Sequence, residues 1–190
     1  MKLLREYIRE LLTESVNPKI MSMIDALEKA KGYVEILPDR VTVWEPTEIS
    51  PRNWVAMVAY ETSASAGSGN CAGAAAIVTA SSAKTGMGPL AYDVAIELTG
   101  GLGLMPDRFT VSDSAKAVWS YYYNNRPDVE TVQTDNFDNQ LTPEEEDNCV
   151  QRSSLRDKGQ ENFNQSVLSK VYKKSDTPVM DELRKRGMLT

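Results

Sequence analysis

The sequence contains no histidine and only two cysteines, Cys71 and Cys149. Without histidine, the chain cannot itself supply a Ser-His-Asp or Cys-His catalytic site, nor a metal site with histidine ligands. Two cysteines far apart in the sequence do not make a disulfide framework and indicate a reducing compartment. Any acid or base chemistry must therefore use carboxylates, tyrosine, lysine, cysteine or water.

The sequence also lacks a long apolar run and an excess of positive charge. No apolar run approaches the roughly 18 residues that a membrane-spanning helix needs, and charged residues interrupt the first ten positions, which excludes a secretory signal core. The net charge is −6, with 21 Lys and Arg against 27 Asp and Glu, which argues against nucleic acid as the main ligand. We therefore expect neither a membrane span nor nucleic-acid binding.

Hydrophobic periodicity and turn residues predict alternating helices and strands. Helices are expected at residues 1–14, 18–30, 89–99, 112–125 and 178–186, with strands at 33–37, 41–44, 54–62, 72–80, 103–108 and 129–134. Asn17 and Ser112 are the expected N-caps, Gly32 is expected to stop the second helix, and Pro38-Asp39-Arg40 is a hairpin connection.

This order of elements predicts an α/β fold with a mixed, mostly antiparallel sheet and flanking helices, preceded by an N-terminal amphipathic helix. The strand at 103–108 should lie parallel to the strand at 72–80, because a crossover helix joins them. We divide the chain into a leader helix at 1–14, an α/β domain at 15–150 and a polar C-terminal extension with a short helix at 151–190. The acidic run at 144–147 lies in the first turn of a predicted short helix. The helix macrodipole favours acidic residues at that position, so we expect no metal site there.

A small-residue run, Ser81-Ser82-Ala83-Lys84-Thr85-Gly86-Met87-Gly88, ends in two glycines directly before a helix. Such a junction can present backbone N–H groups at a helix N-terminus, where the dipole favours an anion, and it is then a phosphate or pyrophosphate cradle. The alternative is an ordinary loop in which Gly88 caps the helix and Pro89 takes its first position. Both interpretations remain open at this point.

The strand, glycine loop and helix resemble the GCN5-related N-acetyltransferase superfamily over residues 33–133. The family's loop pattern, Arg/Gln-x-x-Gly-x-Gly/Ala, is similar at Gly86 and Gly88, whereas Ala83 occupies the Arg/Gln position and Pro89 removes one backbone donor. The resemblance implies acetyl-CoA as the cofactor, with its pyrophosphate on the loop amides, and transfer of the acyl group to an amine. The implied cofactor-binding residues are Lys84, Thr85, Gly86, Met87, Gly88 and Leu90.

The same resemblance implies that a tyrosine on the helix after the crossover strand protonates the departing thiolate. Tyr122 shares the apolar face of that helix with Trp119 and is expected in the core, so Tyr121 or Tyr123 is the candidate acid. Glu61, at the end of a predicted strand, is a candidate base that would act directly or through water. The alternatives are packing or solvent exposure for the tyrosines and a solvated strand end for Glu61.

Residues 1–14 place leucines and isoleucine on one face and charges on the other. The break at residues 15–18 separates this helix from the domain and indicates a docking peptide or a removable leader, as alternatives to a solvated helix packed on the domain. Leu12-Thr13-Glu14 is similar to the cleavage pattern of phage prohead proteases.

The stretches 88–95, 107–108, 118–126 and 141–149 resemble an uncharacterised family of tailed-phage proteins. That resemblance implies a location in the host cytoplasm or in the virion, and a protein partner or capsid component bound through residues 1–14. The alternative function is a non-catalytic virion or host-interaction protein that keeps the fold without the cofactor. A homo-oligomer is compatible with either function.

Overall fold

The structure, a computed structural model, describes residues 16–62, 73–106, 111–134 and 165–190. The helices in these ranges are α1 (Pro18–Lys29), α2 (Gly88–Leu98), α3 (Asp113–Asn125) and α4 (Pro178–Lys185). The strands are β1 (Tyr33–Leu37), β2 (Arg40–Glu45), β3 (Asn53–Thr62), β4 (Ala75–Ser82), β5 (Leu104–Met105), β6 (Glu130–Gln133) and β7 (Lys170–Lys173). The predicted leader helix at 1–14, both cysteines and the acidic run at 144–147 lie outside the described residues.

The seven strands form one sheet in the order β1-β2-β3-β4-β5-β7-β6. Every neighbouring pair is antiparallel except β4 and β5, which run parallel on either side of the crossover helix α2. The predicted α/β class with a mixed, mostly antiparallel sheet is therefore confirmed. Each helix in the described part of the chain is too short or too polar to cross a lipid bilayer.

Local signals set several element boundaries. Asn17 Oδ1 accepts a hydrogen bond of 3.0 Å from the backbone N–H of Lys19, which caps α1. Ser112 Oγ accepts one of 3.2 Å from the N–H of Ala115, which caps α3. Both predicted N-caps are confirmed, because a capping side chain satisfies donors within its own helix and needs no distant partner.

The end of α1 differs in detail from the prediction that Gly32 stops it. Lys31, not Gly32, has the positive φ of 56°. Gly32 is required for another reason: a Cβ there would lie 2.3 Å from Leu27 Cδ1 and 2.5 Å from the carbonyl oxygen of Trp44. The glycine thus allows the chain leaving α1 to pass close to β2.

The described residues from 165 onward contribute a further strand to the same sheet. Strand β7 lies between β5 and β6, and Val171 and Tyr172 are fully buried. The C-terminal residues also pair with β1, where the N–H of Thr190 donates to the carbonyl of Val34 at 2.9 Å. The sequence does not predict β7, because lysines at both ends of this four-residue segment are typical of a polar loop.

Helix α2 lies at the centre of the fold, in contact with β2, β3, β7, α1 and α4. The sequence spacing of Leu90, Val94 and Leu98 predicts one apolar stripe along this helix. All residues from 90 to 97 are instead buried, because the sheet and the other helices surround α2. This environment takes two carboxylates, Asp93 and Glu97, into the interior.

Candidate functional site

A groove lies between the end of β4, the glycine loop at 83–87 and the N-terminal turns of α2 and α3. Its wide part has a volume of about 550 Å³ and its narrow part about 230 Å³. Ala80, Tyr92, Ser112 and Ala115 line both parts, which therefore adjoin, and we call the two parts together the β4 groove. Small and hydroxyl side chains dominate the wide part, among them Ala80, Ser81, Ser82, Thr85, Ser112 and Ser114.

The β4 groove exists because β4 and β5 separate. The two parallel strands pair only at Ala75 with Leu104 and at Ala76 with Met105. From Ile77 onward, β4 has no partner on that side among the described strands, and the start of α3 faces it across the narrow part. The outer backbone edge of β4 therefore borders the groove.

Two helix N-termini meet at the wide part. Gly88 and Pro89 of α2 line it, as do Ser112 and Ser114 of α3. The N-cap of α2, Met87, makes no side-chain capping bond, and the first turn of α2 contains no acidic residue. The positive end of the α2 dipole is thus not compensated by its own sequence, and the wide part of the groove favours an anion.

The predicted cofactor-binding residues divide into two groups. Thr85, Gly86 and Gly88 line the groove. The other three point elsewhere: the side chains of Met87 and Leu90 are in the core, and Lys84 Nζ lies 2.6 Å from Glu45 Oε1.

The two glycines of the loop are not equivalent. Gly86 has a φ of +88°, a conformation that favours glycine. Gly88 has no positive φ, and a Cβ there would meet only Ser82 Cβ, at 3.8 Å. The backbone at 88 can therefore accept a side chain, which would project at the wide part.

Neither candidate acid lines the β4 groove. The hydroxyl of Tyr121 donates to Asn17 Oδ1 at 3.2 Å, and Lys19 Nζ lies 4.1 Å from the centre of its ring. Burial raises the pKa of Tyr121. Tyr123 is 45% exposed, with Lys170 Nζ 5.6 Å from its ring centre. Their catalytic roles stay predictions, without support from these contacts.

Glu61 lines neither part of the β4 groove. It pairs across the sheet with Ala76, the neighbour of the lining residue Ile77. The glycine loop follows the other end of β4, about 20 Å away at the usual rise per strand residue. Glu61, on β3, is thus level with the end of β4 that is far from the glycine loop, and it does not line the groove. Glu61 remains a candidate base.

A buried charge network, which the sequence did not reveal, lies behind the groove. It consists of Asp93, Glu97, Arg126, Asp128 and Lys174. Arg126 Nη1 and Nη2 donate to Asp93 Oδ2 and Oδ1 at 2.6 and 2.8 Å, and Arg126 Nε donates to Asp128 Oδ1 at 2.8 Å. Lys174 Nζ lies 3.3 Å from Asp93 Oδ1 and also donates to Glu97 Oε1.

Glu97 also caps a different helix. Its Oε1 and Oε2 accept hydrogen bonds of 3.1 and 2.8 Å from the backbone N–H groups of Val179 and Met180, in the first turn of α4. A carboxylate at that position satisfies donors that the helix itself leaves open and compensates its dipole. The network therefore joins α2, α3, α4 and the end of β7.

The pKa values in the network follow from burial and pairing. Burial alone would raise the pKa of Asp93, but the hydrogen bonds and charge of Arg126, with the charge of Lys174, lower it below its usual value. Burial would lower the pKa of Lys174, but Asp93 and Glu97 raise it. Burial raises the pKa of Glu97 against the opposing charge of Lys174. Against the effect of burial, the pKa of Arg126 is likewise raised by Asp93 and Asp128, so Arg126 and Lys174 both stay charged at neutral pH.

The core prediction for Tyr122 is confirmed, since its side chain is fully buried. The hydroxyl lies 2.6 Å from Asp93 Oδ2 and 2.9 Å from the carbonyl oxygen of Pro89. Burial raises the pKa of Tyr122 well above its usual value, so the hydroxyl keeps its proton. In the described ranges, no group of three or more Asp, Glu or Cys side chains could hold a metal ion.

Comparison of the chain with protein-family models, with curated proteins and with solved structures found no match.

Proposed function

We propose that this chain is an acetyltransferase-like protein whose β4 groove binds acetyl-CoA for transfer of the acyl group to an amine. The observation that carries the proposal is the convergence of the glycine loop and the N-termini of α2 and α3 on one groove beside the outer edge of β4. A pyrophosphate suits the wide part, because the uncompensated N-terminus of α2 lines it, beside the N-terminus of α3, whose first turn contains Asp113.

The rest of an extended ligand would follow β4 towards the narrow part. An amide-containing arm can pair with a strand edge through backbone hydrogen bonds, as an added strand does. A ligand anchored at Gly88 and extended along β4 would bring its far end towards Ala76, the cross-strand partner of Glu61. Glu61 lies one strand further on, in β3, and remains the proposed base for the amine without lining the groove.

The chemistry requires one net proton movement. The amine nitrogen attacks the thioester carbonyl carbon, the C–S bond breaks with its electron pair on sulfur, and the proton that nitrogen loses replaces the missing one on sulfur. Tyr92 lines both parts of the groove. It is therefore a better-placed proton donor to sulfur than Tyr121 or Tyr123.

A non-catalytic virion or host-interaction protein is the second candidate. The observation that favours it is the neutral lining of the groove, since no lysine or arginine contributes to the wide part in the described ranges. The tailed-phage setting and a docking role for residues 1–14 belong to both candidates, and their support is the sequence resemblance and the amphipathic pattern.

Calorimetric titration with acetyl-CoA tests the proposal. We expect the wild type to bind and Gly88→Val to lose binding while remaining folded, because the backbone at 88 accepts a side chain. The matched control is Ala26→Val, which introduces the same side chain on the exposed face of α1. Absence of binding to the wild type would overturn the acetyltransferase proposal and favour the second candidate. Equal binding by wild type and Gly88→Val would exclude the loop as the cradle.

A further inference from the structure

The first turn of α2, which lines the groove, is connected to the buried charge network through one side chain. The hydroxyl of Tyr122 on α3 lies 2.9 Å from the carbonyl oxygen of Pro89 and 2.6 Å from Asp93 Oδ2. All three groups belong to buried or half-buried residues. Tyr122 itself does not line the groove, so its influence on a ligand would be indirect.

Asp93 is a fixed acceptor. Arg126 holds both of its carboxylate oxygens, and Asp128 in turn holds Arg126 through Nε at 2.8 Å and Nη2 at 2.5 Å. Charge-assisted, two-point contacts of this kind define orientation as well as distance. The position of the Tyr122 hydroxyl is therefore determined by groups that do not move with the glycine loop.

The start of α2 has little local support of its own. Met87 supplies no side-chain cap, Pro89 has no N–H to donate, and Gly86 and Gly88 restrict the backbone less than other residues do. A turn of this composition needs an external contact to keep one position. The Tyr122 hydroxyl provides it, because its single proton is shared between Asp93 Oδ2 at 2.6 Å and the Pro89 carbonyl at 2.9 Å, one turn apart on α2.

We propose that Tyr122 and Asp93 are positioning residues that hold the first turn of α2 at the wall of the β4 groove. Their effect on acetyl-CoA rests on the proposed function, whereas their effect on α2 does not. Loss of the Tyr122 hydroxyl should therefore loosen the turn in the ligand-free protein and weaken any ligand that the turn binds.

Tyr122→Phe tests this with Tyr172→Phe as the matched control. Both tyrosines are fully buried and pack against Trp119, but the hydroxyl of Tyr172 donates to the carbonyl of Val167 at 2.7 Å. Amide hydrogen exchange of the full-length, ligand-free variants is followed by mass spectrometry in the peptide covering residues 86–95. We expect exchange there to be about fivefold faster in Tyr122→Phe only, the effect of one lost hydrogen bond.

Calorimetry with acetyl-CoA supplies the second measurement. We expect the Kd to rise about fivefold in Tyr122→Phe and to stay unchanged in Tyr172→Phe. Equal exchange at 86–95 in the two variants would overturn the positioning role, whatever the affinity. If the wild type binds no acetyl-CoA, the proposed function fails while the exchange measurement still decides the positioning role. Failure of Tyr122→Phe to fold while Tyr172→Phe folds would also overturn the positioning role, because the whole fold would then need the hydroxyl.

Discussion

Arg126 binds Asp93 through two hydrogen bonds, Nη1 to Oδ2 at 2.6 Å and Nη2 to Oδ1 at 2.8 Å, and neither side chain has any exposed surface. The pair joins the middle of α2 to the residue that follows α3. Removing one partner of a buried pair is strongly destabilising, because the remaining buried charge loses a counter-charge that water cannot replace.

Asp93→Asn should lower the free energy of unfolding at pH 7 by about 3 kcal/mol, because Arg126 and Lys174 both lose a buried counter-charge. Among the described residues, Arg126 then keeps only Asp128 and Lys174 keeps only Glu97. The pKa of Asp93 lies below its ordinary value of 3.8. Its contribution is therefore fully present above pH 3.8 and is lost as the pH falls through the lower pKa of the folded state. Urea denaturation between pH 7 and pH 2.5 should show the difference between wild type and variant shrinking below pH 3.8.

The control for this prediction is Asp25→Asn. Asp25 also pairs with an arginine, Arg186, at 2.7 Å, but its side chain is 59% exposed. Exposed pairs contribute about 1 kcal/mol or less, so the control should remain close to the wild type. A difference between Asp93→Asn and wild type that stays constant with pH would contradict the pKa assignment.

Gly32→Ala should destabilise the protein by about 3 kcal/mol, because the added Cβ overlaps Leu27 and the backbone carbonyl of Trp44. Gly187→Ala is the comparison. Gly187 has a φ of +67° with nothing within 4 Å of its Cβ position, so only the left-handed conformation opposes the substitution, at about 1 kcal/mol. Urea denaturation of both variants would show which one loses more free energy of unfolding. A larger loss for Gly187→Ala would refute the packing argument.

The double variant Tyr121→Phe, Tyr123→Phe should keep both acetyl-CoA affinity and turnover, since neither hydroxyl lines the β4 groove. Tyr92→Phe is the matched single change and should lower kcat with the Kd for acetyl-CoA nearly unchanged. Steady-state kinetics and calorimetry on the three proteins separate the roles. A large loss of kcat in the double variant would instead establish Tyr121 or Tyr123 as the acid.

Deleting residues 2–14 should leave the melting temperature of the remaining chain almost unchanged. The apolar face of this segment is complete within twelve residues, and an isolated helix of that length is marginal in water, so we expect it to order against a partner. Thermal denaturation followed by circular dichroism measures the effect. A fall of many degrees would assign Leu4, Ile8 and Leu11 to the core and exclude a leader.

Processing of the leader has its own test. If the proposed virion location holds, mass spectrometry of the protein from mature virions should find an N-terminus at Ser15, after Leu12-Thr13-Glu14. An intact Met1 in the virion would argue against cleavage.

The elements that could be predicted from the sequence are those whose cause is local. The caps at Asn17 and Ser112 and the hairpin between β1 and β2 depend on residues a few positions apart. The crossover from β4 through α2 to β5 followed from the order of elements. In the site, the same local signal identified the glycine loop, of which Gly86 and Gly88 do line the groove.

The buried charge network could not be predicted, because its partners are distant in the sequence. Asp93 and Arg126 are 33 residues apart, and Glu97 and Lys174 are 77 residues apart. In the sequence, Lys174 lies close to Lys170 and Lys173, and such a lysine cluster is typical of a solvent-exposed segment. These charges pair because α2 is buried on all sides, which removes Asp93 and Glu97 from water. Such burial results from tertiary packing and cannot be derived from local sequence.

The position of β7 has a consequence for how the chain folds. Among the described strands, β7 is the last to be synthesised, yet it lies between β5 and β6. It is β7 that joins β6 to the rest of the sheet. Pairings between distant segments form slowly, and unpaired strand edges promote association with other chains. On the ribosome, the sheet can therefore grow from β1 to β5, but β6 can join only after residues 170–173 have emerged. A nascent chain that stalls before that point leaves the edges of β5 and β6 that pair with β7 unpaired. Productive folding therefore requires translation to finish before these edges associate with another chain.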